Sequence, residues 1–303
     1  MISRRGLTVS LWGALLRGAP VPKMQAVPMP GFQVSFERGG REVTRYHCHP
    51  EQRRPFLFPV IGPSGRYVTR MGHPHDPEGH SHHNSVWVSH HMVNGINFWG
   101  DPGTGGVGQI VHRRLEQLTD GMEEAGLVAH AEWVDTDTNR VLLRERRTVL
   151  VRDLGGGELL ITLKLELQPA VSEVTFGKTP FGLIGVRVAK TMSVRDGGGV
   201  IRNSEGQEDE PQVLWQRAKW VDYSGQAADG VNEGITLLDH RGNPNHPTYF
   251  HVRRDGWMGA SLSYDAPRKL VAGETLTLRY GLYVHAGIPK REDLEKRWAE
   301  FSR

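Results

Sequence analysis

Seven of the fifteen histidines in this 303-residue chain fall within nineteen residues, His73-Pro74-His75-Asp76-Pro77-Glu78-Gly79-His80-Ser81-His82-His83-Asn84-Ser85-Val86-Trp87-Val88-Ser89-His90-His91. Imidazole ordinarily titrates near neutrality, and as a neutral ring it is a common metal ligand. One chemistry open to this segment is acid/base catalysis on a polyhydroxylated substrate: His83 transfers protons, His80 and His82 bind or polarise oxygen atoms, and Trp87 or Trp99 stacks on a sugar's C–H face. A second is a divalent metal held by His80, His82 or His83 with Asp76 or Glu78, although no HExxH helix or other zinc signature is present. A third has the rings satisfying backbone carbonyls and packing on tryptophans. Prolines and Gly79 make residues 73–81 a constrained loop, whereas Ser85 to His91 has strand propensity. Regular alternation there puts Val86, Val88 and His90 on one face and Trp87, Ser89 and His91 on the other. The glycine-rich stretch Asp101 to Gly108 leads into no helical pattern, so it reads as a rim loop and not as a phosphate cradle.

A second concentration of polar groups lies in the C-terminal half. Arg187 alternates against Ile184, Val186 and Val188 and so projects from the opposite strand face, with Asp222 or Glu205 as expected carboxylate partners. Trp220 and Asp222 share one side of a strand, an aromatic platform beside a carboxylate. Asp239-His240 forms an acid/base pair if the chain turns there, as the following Asn243-Pro244-Asn245-His246-Pro247 allows. Arg253 ends the polar run.

The elements that must position these groups are strands. Leu159, Ile161, Leu163, Leu165 and Leu167 alternate with Thr162, Lys164 and Glu166, the pattern of a half-buried antiparallel strand. Arg140 to Arg152 precedes it across Asp153-Leu154-Gly155-Gly156-Gly157, making a long hairpin. The same alternation runs through Leu276, Leu278, Tyr280, Leu282 and Val284. Shorter candidates include residues 33–36, 43–47, 56–61, 86–90, 110–118, 127–134, 183–189, 213–223, 234–239 and 256–262. Only Arg291 to Phe301 is helical in pattern, with Leu294, Trp298 and Phe301 spaced by four and three and Pro289 ahead of them. The expected fold is all-β: a large antiparallel two-sheet sandwich with a short C-terminal helix, in one domain over residues 31–303.

Composition bounds the function. Basic residues number 37 against 34 acidic ones, and the small excess is dispersed, so no nucleic-acid partner is expected. The densest basic cluster, Arg144-Glu145-Arg146-Arg147, reads as a solvated strand face. No apolar run of about 18 residues occurs, so no membrane partner is expected. Cys48 is alone, which excludes an intrachain disulfide and a thiolate zinc site. Residues 1–30 read as a disordered extension or a weak signal-like segment, with Met24 and Met29 as alternative starts and order beginning near Phe32. The expected location is cytoplasmic, with export through that segment as a minor alternative, and self-association is open.

Several segments taken together resemble the bacterial family labelled PmoA-like. They are His75-Asp76-Pro77-Glu78-Gly79-His80-Ser81-His82-His83, Val93-Asn94-Gly95, Phe98-Trp99, Ile110-Val111-His112, Asn203-Ser204-Glu205-Gly206, Trp220-Val221-Asp222-Tyr223, and Asp239-His240 through Arg253. The resemblance covers about residues 30–287 and implies a galactose-mutarotase-like β-supersandwich. Methane oxidation does not follow from the label, because true methane monooxygenase subunits are membrane proteins. Asn97, where the family suggests Asp, and Phe250, where it suggests Trp, depart from the pattern. The expected function is a carbohydrate-active enzyme of epimerase, mutarotase or lyase type. His83, His240 and Asp222 are its catalytic candidates. His80, His82, Trp87, Asn94, His112, Arg187, Glu205, Trp220, Asn243 and Arg253 are its candidate substrate contacts. The alternatives are a metal-dependent hydrolase or oxygenase on the histidine loop, and a non-catalytic carbohydrate-binding protein.

Overall fold

The computed structural model describes residues 20–303, apart from 74, 76–78 and 101–106. Two antiparallel sheets dominate it. The first has nine strands in the order Met24–Met29, Gln33–Arg38, Arg41–His47, Phe56–Val60, Val86–His90, Thr179–Arg187, Trp257–Ser263, Thr248–Arg253 and Arg217–Ala218. The second has eight, in the order Val200–Asn203, Trp220–Ala228, Val231–Asp239, Leu276–Ala286, Glu158–Pro169, Arg140–Gly155, Glu124–Asp135 and Gly108–Thr119. Glu173–Phe176 and Arg268–Val271 pair as a small ribbon beside them. The sandwich and the helix Arg291–Phe301 are those expected from the sequence. Among the described residues no helix is long and apolar enough to cross a membrane.

Alternation determines which side chains meet between the sheets. Leu159, Ile161, Leu163, Leu165 and Leu167 are all at most 2% exposed and join one continuous core with Val86, Val88, Ile184, Val186 and Met258 from the first sheet. Each such aliphatic side chain contributes about 1.5–3 kcal/mol on burial. The helix covers the outer face of the second sheet, where Leu294, Trp298 and Phe301 pack on Trp220, Leu238 and Tyr283. A third apolar group, Phe56, Trp87, Trp99 and Trp257, lies on the outer face of the first sheet. That sheet is therefore buried on both sides at its centre.

Three expectations are corrected. Met24–Met29 is a strand paired with Gln33–Arg38, and Met24 is fully buried with backbone bonds to Gly121, so the expected boundary at residue 31 falls inside a hairpin. Residues 213–223 are not one strand. A short helix, Asp209–Val213, and a turn through Trp215 precede Arg217–Ala218 and then Trp220–Ala228. Within Arg144 to Arg147 only Arg144 and Arg146 face outward; the same alternation turns Glu145 and Arg147 into the interior, where they pair and Glu145 also accepts from Trp133 Nε1 at 2.7 Å.

Registration across the first sheet explains its outer layer. Trp87 lies opposite Gly185, Gly185 opposite Gly259, and Gly259 opposite His251. Two glycines in the middle of that row leave a trough. A Cβ on Gly185 would sit 2.4 Å from the Trp87 indole, and one on Gly259 3.1 Å from the Trp257 ring. We expect Gly185→Ala to cost about 1–3 kcal/mol through displacement of Trp87. Urea denaturation measures this, and an unchanged midpoint would refute the trough as the reason for glycine there.

Candidate functional site

Arg187 leaves the first sheet on its outer face, in a row with Trp257 and Arg253 on the two neighbouring strands. Its side chain is 1% exposed, and a buried guanidinium requires a partner. That partner is Asp255, in the turn joining Thr248–Arg253 to Trp257–Ser263, at 3.0 Å from Nη1. The same carboxylate oxygen lies 2.8 Å from His80 Nδ1. Burial raises the Asp255 carboxyl, but the adjoining His80 ring and the Arg187 charge outweigh it and bring the pKa down to about 2. Asp255 thus faces the Nδ1 edge of His80, and the Nε2 edge of the ring is turned away from the carboxylate. The His80 side chain is 21% exposed, so the dyad is open to solvent at the histidine end.

Aromatic rings surround this dyad. His83 stacks on His80 (4.3 Å between centroids, 16° between planes) and on Trp87 (4.8 Å, 25°), while His82 meets His83 edge-on at 4.7 Å. Trp257 lies 5.2 Å from His83, 6.4 Å from His80 and 4.2 Å from His251. Arg54 supports the layer from below, donating to the carbonyls of His82, Phe98 and Trp99. It thereby ties the histidine segment to the turn carrying Trp99. In that turn Asn97 Oδ1 accepts from the amides of Trp99 and Gly100 at 2.8 and 2.9 Å; a carboxylate oxygen could accept the same bonds.

Burial sets the charge of the rings. Desolvation, helped by His82, His80, Arg187 and Arg54, lowers His83 well below the ordinary histidine value. Desolvation and the Arg253 charge likewise push His251 down to about 3. Both rings are neutral at pH 7, and the Nδ1 of each is buried with no hydrogen-bond partner among the described residues. His90, on the core side of its strand as alternation requires, is neutral too: burial brings it to about 3, and its Nε2 lies 2.8 Å from Ser263 Oγ.

The structure thus gathers His80, His82, His83, Trp87 and Arg187, with Arg253 at the edge, and adds Asp255, His251 and Trp257. Asp255 and Gly256 carry only a hairpin-turn signal in the sequence, which conceals the carboxylate's role. The partner expected for Arg187, Asp222 or Glu205, is corrected to Asp255. Imidazole lone pairs lie in the ring plane, so the nearly parallel rings of His80 and His83 do not aim at a common ion. Among the described residues no three His, Cys, Asp or Glu side chains are placed to hold a metal; Asp76, Glu78 and the loop 101–106 lie outside them.

The other candidates do not join this cluster. Asp222 is fully buried on the second sheet and accepts from Arg202, Ser224 and Thr236, with His285 Nε2 at 2.9 Å. Asp239 pairs with His246 at 2.7 Å and not with His240, and Asn243 donates to Asp239 and to the Arg279 carbonyl. His240 rests edge-on against Phe301 of the C-terminal helix, its pKa lowered by burial and Arg279. Trp220 donates to Glu295 of that helix, and Glu205 accepts from Ser204. The recess on the helix side, about 450 Å³, is lined by residues such as Glu158, Lys296 and Arg297 and includes neither Asp222 nor His240. His112 lies against Tyr46, and Asn94 is a turn residue bonded to the Glu173–Phe176 strand.

Asp222 has a structural consequence that can be measured. Burial raises its carboxyl, but His285 and Arg202 reverse this and lower the pKa from 3.8 to about 2. Its contribution to stability is complete above about pH 4 and declines as pH falls toward 2. We expect Asp222→Asn to lower stability by about 3 kcal/mol at pH 7 and to flatten the acid dependence of urea midpoints. An unaltered acid limb would show that the carboxylate contributes nothing of the kind.

No curated protein matches the chain. Solved structures that align over most of it include a heparinase III gene product (13% identity, 91% of this chain, TM-score 0.40) and a GalM/aldose epimerase homologue from C. elegans (7% identity, 88% of this chain, TM-score 0.35). The chain spans 38% of the first and 100% of the second. Residues 33–299, which include every group of the cluster, match a single family profile, and the chain belongs to that family of unknown function, DUF6807.

Proposed function

We propose that the outer face of the first sheet is the active site of a carbohydrate-active enzyme that moves protons through His80. The observation that carries this reading is the chain Arg187–Asp255–His80, in which a buried ion pair adjoins an imidazole that is 21% exposed and lies beside aromatic rings. Arg187 keeps Asp255 ionised and aimed. Asp255 holds the Nδ1 proton and stabilises the imidazolium that forms when Nε2 accepts a proton from substrate; the same ring then returns the proton, as in an epimerisation, mutarotation or elimination. In this reading His82 and Arg253 bind sugar oxygens, and Phe181, partly exposed and 6.4 Å from Trp257, offers an apolar surface to a pyranose C–H face. His83 is 1% exposed, so in this reading it is a positioning residue that fixes His80 by stacking, and proton transfer passes from His83 and His240 to His80.

The test is proton NMR of a panel of aldoses, ketoses and uronic acids in deuterated buffer. We expect interconversion, elimination or deuterium incorporation with at least one sugar. His80→Ala should lower kcat by about 10²–10⁴-fold, and Asp255→Asn should lower kcat with a smaller effect on KM. A His80→Ala protein that turns over sugar at the wild-type rate removes His80 from the mechanism. Saturable binding with no chemical change in any sugar would instead identify a binding protein.

A further inference from the structure

Trp215 is the most exposed tryptophan among the described large apolar side chains, at 40%, and has a φ of +58°, a conformation that bulky residues rarely adopt. The chain holds it there. Its amide donates to the Phe250 carbonyl at 2.7 Å, and the Phe250 amide donates to Gln216 at 3.0 Å, strapping the turn to the strand Thr248–Arg253. Backbone strain retained on an exposed indole calls for a use of the indole. The ring is 6.0 Å from His251, which touches Trp257, and 6.1 Å from Tyr264, which lies 4.4 Å from Tyr249. A continuous line of rings therefore leads away from the His80 dyad to a partly exposed platform of Trp215, Tyr264 and Tyr249.

We infer that this platform is a second sugar subsite and that the ligand is a neutral oligosaccharide or glycoside extending from the His80 site. The inference rests on the carbohydrate reading above and specifies its substrate class. Charge bookkeeping selects a neutral chain: Arg217 lies over one face of Tyr249 at 4.3 Å and Arg253 over one face of Trp215 at 5.9 Å, but each is already compensated, Arg253 by Glu210 at 3.0 Å and Arg217 by Asp265 at 2.9 Å. What the platform offers a pyranose is the ring faces opposite those guanidinium groups, together with hydrogen-bonding edges, which suit alternate C–H and hydroxyl surfaces.

The experiment is titration calorimetry of the full chain with glucose, galactose and xylose and with their β-1,4-linked tetrasaccharides. Trp215→Gly is the variant, because glycine accepts a positive φ and removes only the ring; Tyr264→Ala is the second, with thermal melts as the folding control. We expect one tetrasaccharide to bind at least about tenfold more tightly than its monosaccharide, and each variant to lose that advantage while monosaccharide affinity stays within about twofold. Equal affinity for mono- and tetrasaccharide, or a length preference unchanged in both variants, overturns the second subsite and leaves the His80 site standing. A variant that alters the oligomeric state but not the length preference assigns the rings to self-association and overturns the inference as well. Absence of binding by all of these neutral sugars at about 10 mM overturns the second subsite, while the His80 reading falls only if the wider panel of aldoses, ketoses and uronic acids shows no conversion either.

Discussion

A guanidinium at the centre of a sheet, with almost no access to solvent, is costly unless a carboxylate lies against it. Arg187 is in that position, and the register of its strand against Trp257–Ser263 brings the preceding turn, with Asp255, to its end. The Asp255 oxygen that meets Arg187 also lies 2.8 Å from Nδ1 of His80 in the loop above. One buried charge thereby couples strand register to loop placement and loop placement to the presentation of an imidazole edge.

The aromatic layer depends on a related constraint. A sheet buried on one face can leave its other face polar, but the middle of this one carries Trp87, Trp257 and His251 on the outer side. Gly185 and Gly259 make space for the indoles to lie down. Rings packed so closely lose hydration, which keeps His83 and His251 neutral; that protects the layer from accumulating positive charge beside Arg187. Within this layer the His80 ring meets the Asp255 carboxylate.

The polar groups of the second sheet follow the opposite logic. Asp222 has its oxygens occupied by Arg202, Ser224, Thr236 and His285, and Asp239 by Asn243, His246 and the Thr248 amide. Carboxylates saturated in this way tie strands and turns together and hold the base of the C-terminal helix. Residue types suited to catalysis are thus divided between two faces of the sandwich, and their satisfaction by neighbours separates the two roles.

Period-two alternation in Leu159 to Leu167 and Leu276 to Val284, and four-and-three spacing in Leu294, Trp298 and Phe301, determine strands, buried faces and the helix Arg291–Phe301 from the sequence alone, because those patterns are local properties of backbone geometry. The histidine segment and the outward turn of Arg187 are legible for the same reason. Tertiary structure decided the pairings: Arg187 with Asp255 and not with Asp222 or Glu205, Asp239 with His246 and not with His240, and the strand Met24–Met29 where an extension was expected. Alternation says which face a side chain takes but not which strand lies beside it. The meeting of Arg187, Asp255 and His80 depends on strand order and register, and these are set by long-range pairing between segments that carry no mark of one another in the sequence.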